Sequence, residues 1–324
     1  MHLRKLVWVT VLATVLLPVS VMAQKEPDRF KVAVGAPNNW DSGIVAVGER
    51  AGIFRKHGIE PELLFTSGGG ETLQAVISGS VDIGISAGTS AVFGAFAKGA
   101  PVRILLAGTT GASDLYWYVP ANSSVKSFKD TEGKSVAYST TGASTHLTAL
   151  ALIKHFNVKA RPVAAGASAV TLTQTMSGQI DVGWASPPFG LQQLDEGAIR
   201  IVARGSDALS TRGQTVRVHI VNANVLQQRR DAINRFVAAY RETYEWLYAS
   251  PDGVKTYAEY AKVPEKLAVR IRDEFMPKAA MSPETVSGID AITEDAITYR
   301  FMAGPLSKEQ LHEVMQIPPT KASQ

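Results

Sequence analysis

Gly79-Ser80-Val81-Asp82-Ile83-Gly84 recurs later in the chain as Gly178-Gln179-Ile180-Asp181-Val182-Gly183. Each copy closes a helical stretch and leads into a β-branched run. The first Gly of each stands where a helix ends in a left-handed turn, a conformation glycine adopts without steric cost. Each Asp precedes or opens a strand, where its carboxylate can accept a nearby backbone N–H. Both carboxylates therefore read as structural groups. Two similar α/β units in one chain mean two similar lobes.

Working outward from the first copy, short β-branched runs alternate with helical stretches. Strands are expected at Lys31–Val34, Glu62–Phe65, Ile83–Ser86 and Val102–Ala107. Helices are expected from Ile44 to Gly52, Glu71 to Ser78 and Ser90 to Ala97, the first capped by Asp41 or Ser42 after a polar loop, Pro37 to Gly43. Such alternation builds a mostly parallel sheet flanked by helices. Around the second copy the same grammar gives strands at Lys134–Tyr138, Arg161–Ala164, Ile180–Trp184 and Ile199–Ala203, with helices at Ser144–Phe156, Ala169–Met176 and Pro188–Glu196. Tyr116–Val119 is extended and carries the chain into the second lobe; Val216–Val221 carries it back. The expected division is residues 28–117 with 218–317 for lobe one and 118–217 for lobe two. Hinges fall at Tyr116–Pro120 and Thr215–Ile220, and residues 318–324 form a disordered tail. After Val225 the chain is helical and packs on lobe one, Asp231–Tyr248 being its longest amphipathic stretch.

The start of the chain bears on compartment. Arg4 and Lys5 precede an apolar run, Leu6 to Val19, and Val21-Met22-Ala23 offers the small residues a signal peptidase reads. Residues 1–23 are thus expected to be a cleaved export signal, and the mature protein to be soluble in the periplasm. The run is shorter than the roughly 18–20 residues a spanning helix needs, and Pro18 interrupts it. The formal charge of +4 falls nearer zero once Arg4 and Lys5 are removed, so neither nucleic acid nor a membrane surface is implied. With no cysteine there is no disulfide, zinc–thiolate site, Fe–S cluster or Cys nucleophile. The six histidines show no metal-ligand spacing, and no cofactor is expected.

Several blocks resemble a known family. Glu49-Arg50-Ala51-Gly52-Ile53-Phe54-Arg55-Lys56-His57-Gly58-Ile59 is similar to the segment after the first strand of type II periplasmic binding proteins, in the branch that handles nitrate, sulfonates, taurine and thiamine-pyrimidine precursors. Gly68 through Ala87, Ala97-Lys98-Gly99-Ala100-Pro101-Val102, Phe128 through Lys134 and Ser177 through Asp181 resemble later blocks in collinear order. The resemblance implies a two-lobed type II fold joined by a two-crossover hinge, and an ABC-importer receptor that closes over a small organic ligand without chemistry. It implies permease subunits and a separate ATPase as partners, and a monomeric receptor.

In open α/β sheets ligands bind beyond the carboxyl ends of the strands. The qualifying residues are Asn38, Asn39, Trp40, Ser67, Gly68, Ser86 and Thr89 in lobe one, and Thr140, Thr141, Ser144 and Trp184 in lobe two. Hydroxyls and free N–H groups at helix starts suit acceptor-rich groups such as a sulfonate or carboxylate. The two indoles would offer flat apolar faces to a ring. These loops contain no Lys or Arg; only Arg217 or His219, on the returning crossover, could bring a cation. That shortage favours a weakly charged or heteroaromatic ligand over nitrate.

Enzymatic readings are weaker. Gly84-Ile85-Ser86-Ala87-Gly88 matches the G-x-S-x-G elbow of hydrolases, which would make Ser86 an esterase nucleophile, but no recognisable catalytic His loop follows. The enzyme of this fold that makes the thiamine pyrimidine carries a cysteine-rich motif, which this chain lacks. Gly133-Lys134-Ser135 echoes a Walker A loop, but Phe128 stands where its first Gly belongs. A ligand sensor without transport would use the same closing lobes.

Overall fold

The computed structural model describes residues 26–320, so the export signal expected at residues 1–23 and the last four residues lie outside it. Among the described residues ten strands form two sheets, the second made of two linked ladders. In the first, β1 (Asp28–Val34), β2 (Ile59–Phe65), β3 (Ile83–Gly88) and β4 (Val102–Ala107) are joined by β10 (Arg217–Asn222) in the order β2-β1-β3-β10-β4. β1 runs parallel to β2 and β3, whereas β10 is antiparallel to both of its neighbours. The second sheet uses β5 (Tyr116–Pro120), β6 (Ser135–Tyr138), β7 (Arg161–Ala164), β8 (Gly183–Ala185) and β9 (Ile199–Arg204). β8-β5-β9 and β6-β7 are ladders of their own, linked where Val136 bridges Val182 and the Ala137 N–H donates to Val182 O at 2.8 Å. The resulting order β7-β6-β8-β5-β9 repeats that of the first sheet, with the antiparallel crossover strand in the same place.

The sequence repeat falls at the same point of both sheets. Gly79 and Gly178 end their helices at φ 74° and 77°. The Asp82 carboxylate accepts the Lys31 N–H at 2.8 Å, and Asp181 accepts the Ser135 N–H, also at 2.8 Å. Each thus pins β1 or β6, at equivalent places in the two sheets, to the strand that follows the repeat.

The hinge segments expected at Tyr116–Pro120 and Thr215–Ile220 overlap the paired strands β5 and β10. β5 pairs with β8 and β9 from Tyr116 onward, so the boundary expected at residue 117 falls inside a lobe-two strand. β10 is likewise held between β3 and β4. The two crossings meet in the stretches just before these strands. There Thr110 bridges Thr215, the Gly111 N–H donates to Gln214 O, and the Val216 N–H donates to Thr109 O.

One apolar cluster belongs to lobe two, and another runs from the lobe-one helices to Tyr116, Tyr118, Leu191 and Ile199 of lobe two. Phe128, Val136, Leu152 and Val182 belong to a cluster within lobe two. Lobe one packs its helix Trp40–Arg50 against helices Arg230–Ala249 and Pro251–Ala261, with Trp40, Ile44, Phe236 and Tyr257 fully buried. The C-terminal region also reaches across: Arg270 pairs with Asp195 at 3.1 Å, and Phe301 lies edge-on to His146. At the expected tail, Pro318 O accepts a hydrogen bond from Arg241. Among the described residues no helix is long and apolar enough to cross a membrane.

Candidate ligand-binding cleft

Helix Trp40–Arg50 begins four residues before the expected Ile44, with Asn39 as its N-cap. Asp41 is therefore in the first helical turn, where a carboxylate is favoured by the helix dipole. It is almost wholly buried, and its Oδ2 accepts from Ser86 Oγ at 3.1 Å and from Arg217 Nη1 at 2.8 Å. Ser86, within β3, has φ 61°, an uncommon conformation for a residue other than glycine.

Arg217, the first residue of β10, is the centre of the site. Its Nε donates to Ser144 Oγ at 2.9 Å, and its Nη2 donates to both oxygens of Asp114 at 2.8 Å. Ser144 opens helix Ser144–Phe156 of lobe two, and Asp114 lies on the outgoing crossover. One guanidinium thereby joins both helix starts and both crossings. Ser186, just after β8, donates to Asp114 Oδ2 at 2.8 Å.

The protonation states follow from the packing. Burial opposes the Arg217 charge, but Asp114 and Asp41 outweigh it and raise its pKa. Burial also pushes Asp41 up, yet the Arg217 charge and its hydrogen bonds bring it below the ordinary carboxylate value. Asp114 ends above that value, because burial and the neighbouring Asp41 charge exceed the pull of Arg217. Behind the site, the Ser86 backbone N–H donates to His219 Nδ1 at 3.1 Å and His219 Nε2 meets Tyr240 Oη at 2.6 Å. Burial lowers the His219 pKa to about 4, so the ring is neutral near pH 7.

The lobes are shut on this cluster. The Gly70 N–H donates to Thr140 Oγ1 at 3.0 Å, and a methyl at Gly70 would stand 2.0 Å from Thr141 O. A methyl at Gly88 would stand 2.2 Å from Gly142 O. Only at glycine can the walls approach this closely. The cavity left between them is about 40 Å³.

Of the residues expected at the ligand, Asn39, Gly68, Ser86, Ser144, Trp184 and Arg217 line this cavity. Thr140 and Thr141 lie at the contact between the lobes, outside the lining. Asn38 faces the C-terminal helices, its N–H donating to Tyr260 Oη and its O accepting from Tyr257. Ser67 donates its N–H to Glu71, and Thr89 is buried at a helix start away from the cavity. Trp40 requires the plainest correction. The early helix start turns its ring into the core, where it packs against Tyr257 at 4.5 Å and donates to Tyr248 Oη at 2.9 Å.

Asp114 and the role of Asp41 escaped the sequence reading. Asp41 looked like a helix cap, and Asp114 carries no motif. The elbow reading of Ser86 needs a base on its Oγ, but that hydroxyl donates to Asp41 while His219 holds the backbone N–H. Among the described residues no cluster of His, Asp or Glu could hold a metal ion.

The family model described as NMT1/THI5 like matches residues 39–254, more than half of the chain. Among solved structures, the alkanesulfonate-binding protein SsuA from Xanthomonas axonopodis pv. citri, bound to MOPS, superposes with a TM-score of 0.69 at 17% identity, covering 85% of this chain and 92% of that one. The periplasmic nitrate-binding protein NrtA from Synechocystis PCC 6803 gives 0.65 at 15% identity, with 90% and 86% covered. The desulfurization enzyme DSZB gives 0.61 at 15% identity, with 90% and 96% covered. Among curated proteins nothing matches. Likeness at these identities establishes the fold: two lobes of the type II periplasmic binding protein kind.

Proposed function

The chain belongs to the NMT1/THI5-like family, and on that premise we propose that it is the periplasmic solute receptor of an ABC importer. It binds a small organic molecule between its lobes and delivers it to membrane permease subunits served by a separate ATPase. It acts as a monomer, without a cofactor and without chemistry on the ligand. The observation that carries this reading is Arg217, which ties both lobes and both crossings together at one buried point. A ligand that replaces or completes those bonds gains affinity only when the lobes are closed, and such differential affinity drives a hinge closure. Bending about the residues preceding β5 and β10 would open the cleft. The permease would then read the two lobe surfaces in their closed relation.

Ligand contacts are assigned to Asn39, Gly68, Ser86, Ser144, Trp184 and Arg217, which line the cavity. The test is a thermal-melt screen of the purified protein against alkyl and aryl sulfonates, nitrate, aromatic carboxylates, pyrimidines and organic cations. A ligand at 100 times its dissociation constant adds about 2.7 kcal/mol, enough to raise the melt by several degrees. A shift confined to one chemical class supports the receptor reading. No shift with any class, together with ester hydrolysis abolished by Ser86→Ala, would replace it with the enzyme reading.

A further inference from the structure

We infer that the cleft is built for a small organic cation bearing N–H donors, and against sulfonate and nitrate. The inference rests on the receptor reading and names the ligand class of that same site.

Charge comes first. The ionisable residues lining the cavity are Asp41, Asp114 and Arg217, two carboxylates against one guanidinium. Every nitrogen of that guanidinium is engaged: Nε with Ser144, Nη1 with Asp41 and Nη2 with Asp114. An anion that took the place of Asp41 or Asp114 on Arg217 would leave that carboxylate unpaired in a low-dielectric site. Burying a charge without a partner is the costlier arrangement. A cation meets the opposite situation: two carboxylates share one guanidinium, and Asp114, whose pKa burial and the Asp41 charge raise, would gain a counter-charge of its own.

An independent observation points the same way. Asn39 is 3% exposed and lines the cavity, and its amide oxygen has no hydrogen-bond partner. A buried acceptor left unsatisfied is unusual in a folded protein and costs free energy. A ligand N–H would satisfy it. A sulfonate or nitrate offers only further acceptors.

The opposite wall suits the same guest. Trp184 lines the cavity, and its indole N–H is committed to Gly166 O at 3.2 Å. What it can offer a ligand is therefore its ring, and an aromatic face attracts a cation. The cavity of about 40 Å³ limits the ligand further. In the fully shut form it has room for little more than water, so a compact cation holds the walls slightly apart where Gly70 now meets Thr141.

Isothermal titration calorimetry of the purified chain with matched probes tests the inference. Acetamidinium, methylguanidinium, guanidinium and benzamidinium are compared with acetate, methanesulfonate, nitrate and benzoate, pairs of similar size and opposite charge. At least one cation is expected to bind at least tenfold more tightly than its anionic partner. Asn39→Leu, which removes the waiting acceptor, is expected to weaken that cation at least tenfold without lowering the ligand-free melting temperature. Tighter binding of the anions overturns the inference and leaves the receptor reading standing. Cation affinity unchanged by Asn39→Leu also overturns it, because the cation then binds elsewhere. If no probe of either sign binds and the broader screen also fails, both readings fall together.

Discussion

The two lobes share a strand order, a crossover position and an Asp clamp, yet they bring different chemistry to the cleft. Each presents the start of a helix to Arg217. Lobe one offers Asp41 from helix Trp40–Arg50, bonded to Nη1; lobe two offers Ser144 from helix Ser144–Phe156, bonded to Nε. The charged lining residues come from lobe one and the outgoing crossover, while the lining of lobe two consists of hydroxyls, an alanine and the ring of Trp184. Repetition in the sequence thus marks what holds the scaffold. The site is made where the repeat breaks down.

The largest effect is expected from removing the residue on which the two halves converge. Arg217→Met leaves Asp41 and Asp114 buried without their counter-charge, and breaking a buried pair in this way costs about 3–5 kcal/mol. Urea unfolding should show that loss. The double variant Arg217→Met with Asp114→Leu removes one of the stranded carboxylates and should recover part of it. A double variant no more stable than the single would mean that Arg217 acts through packing, and the electrostatic contrast between the lobes would lose its basis.

Each lobe also holds a histidine that burial keeps neutral, which sharpens the comparison through pH. Burial lowers both His219 and His146 from about 6.5 to about 4. A base with a lowered folded pKa binds fewer protons folded than unfolded between those values. Its contribution is whole above pH 6.5 and is lost progressively as pH falls toward 4. For His219, fully buried, the loss amounts to about 3 kcal/mol; protonating Nδ1 would also remove the acceptor of the Ser86 N–H. Melting temperature should therefore fall between pH 7 and pH 5. His219→Gln should flatten that fall more than His146→Gln does, because His146 is only partly buried. Equal flattening would mean that the two histidines are alike in their solvation.

How much of this was legible depended on how far apart the decisive partners lie. Val102–Ala107, Ser144–Phe156 and Arg161–Ala164 have the bounds that their periodicity implies, because local pattern determines them. The start of the first helix was missed for a tertiary reason. Ser42 and Gly43 look like loop residues, but small side chains are needed there: Ser42 Oγ donates to Ala36 O, and a methyl at Gly43 would meet the Tyr260 ring at 2.9 Å. Nothing near residue 43 announces Tyr260, and that missed turn is what sent Trp40 to the wrong place. Asp114 shows the same limit. It acquires a role only when Arg217, 103 residues away, folds onto it. Of the six expected residues that do line the cavity, Asn39, Gly68 and Ser144 stand at helix starts, whereas Ser86, Trp184 and Arg217 lie within strands. Strand ends can be located from pattern; the pairing of charges across a cleft depends on the closed fold.

The smallest effects concern what the lobes have in common. Asp82→Ala and Asp181→Ala each remove a carboxylate that accepts a backbone N–H, of Lys31 in β1 and of Ser135 in β6. Asp181 also accepts from Ser135 Oγ at 2.6 Å, so its loss should be somewhat the greater. Both carboxylates are partly solvated, which places each loss near 1 kcal/mol, toward the low end for hydrogen bonds to charged groups. The clamps belong to separate sheets, and distant sites are additive to within about 0.5 kcal/mol. Denaturant unfolding of both single variants and the double variant tests this directly. A double variant that loses the sum would show that the repeat stabilises each lobe on its own. A clearly smaller or larger loss would mean that the strands pinned by the clamps sense each other through the Arg217 cluster, and the division between repeated scaffold and unrepeated site would have to be redrawn there.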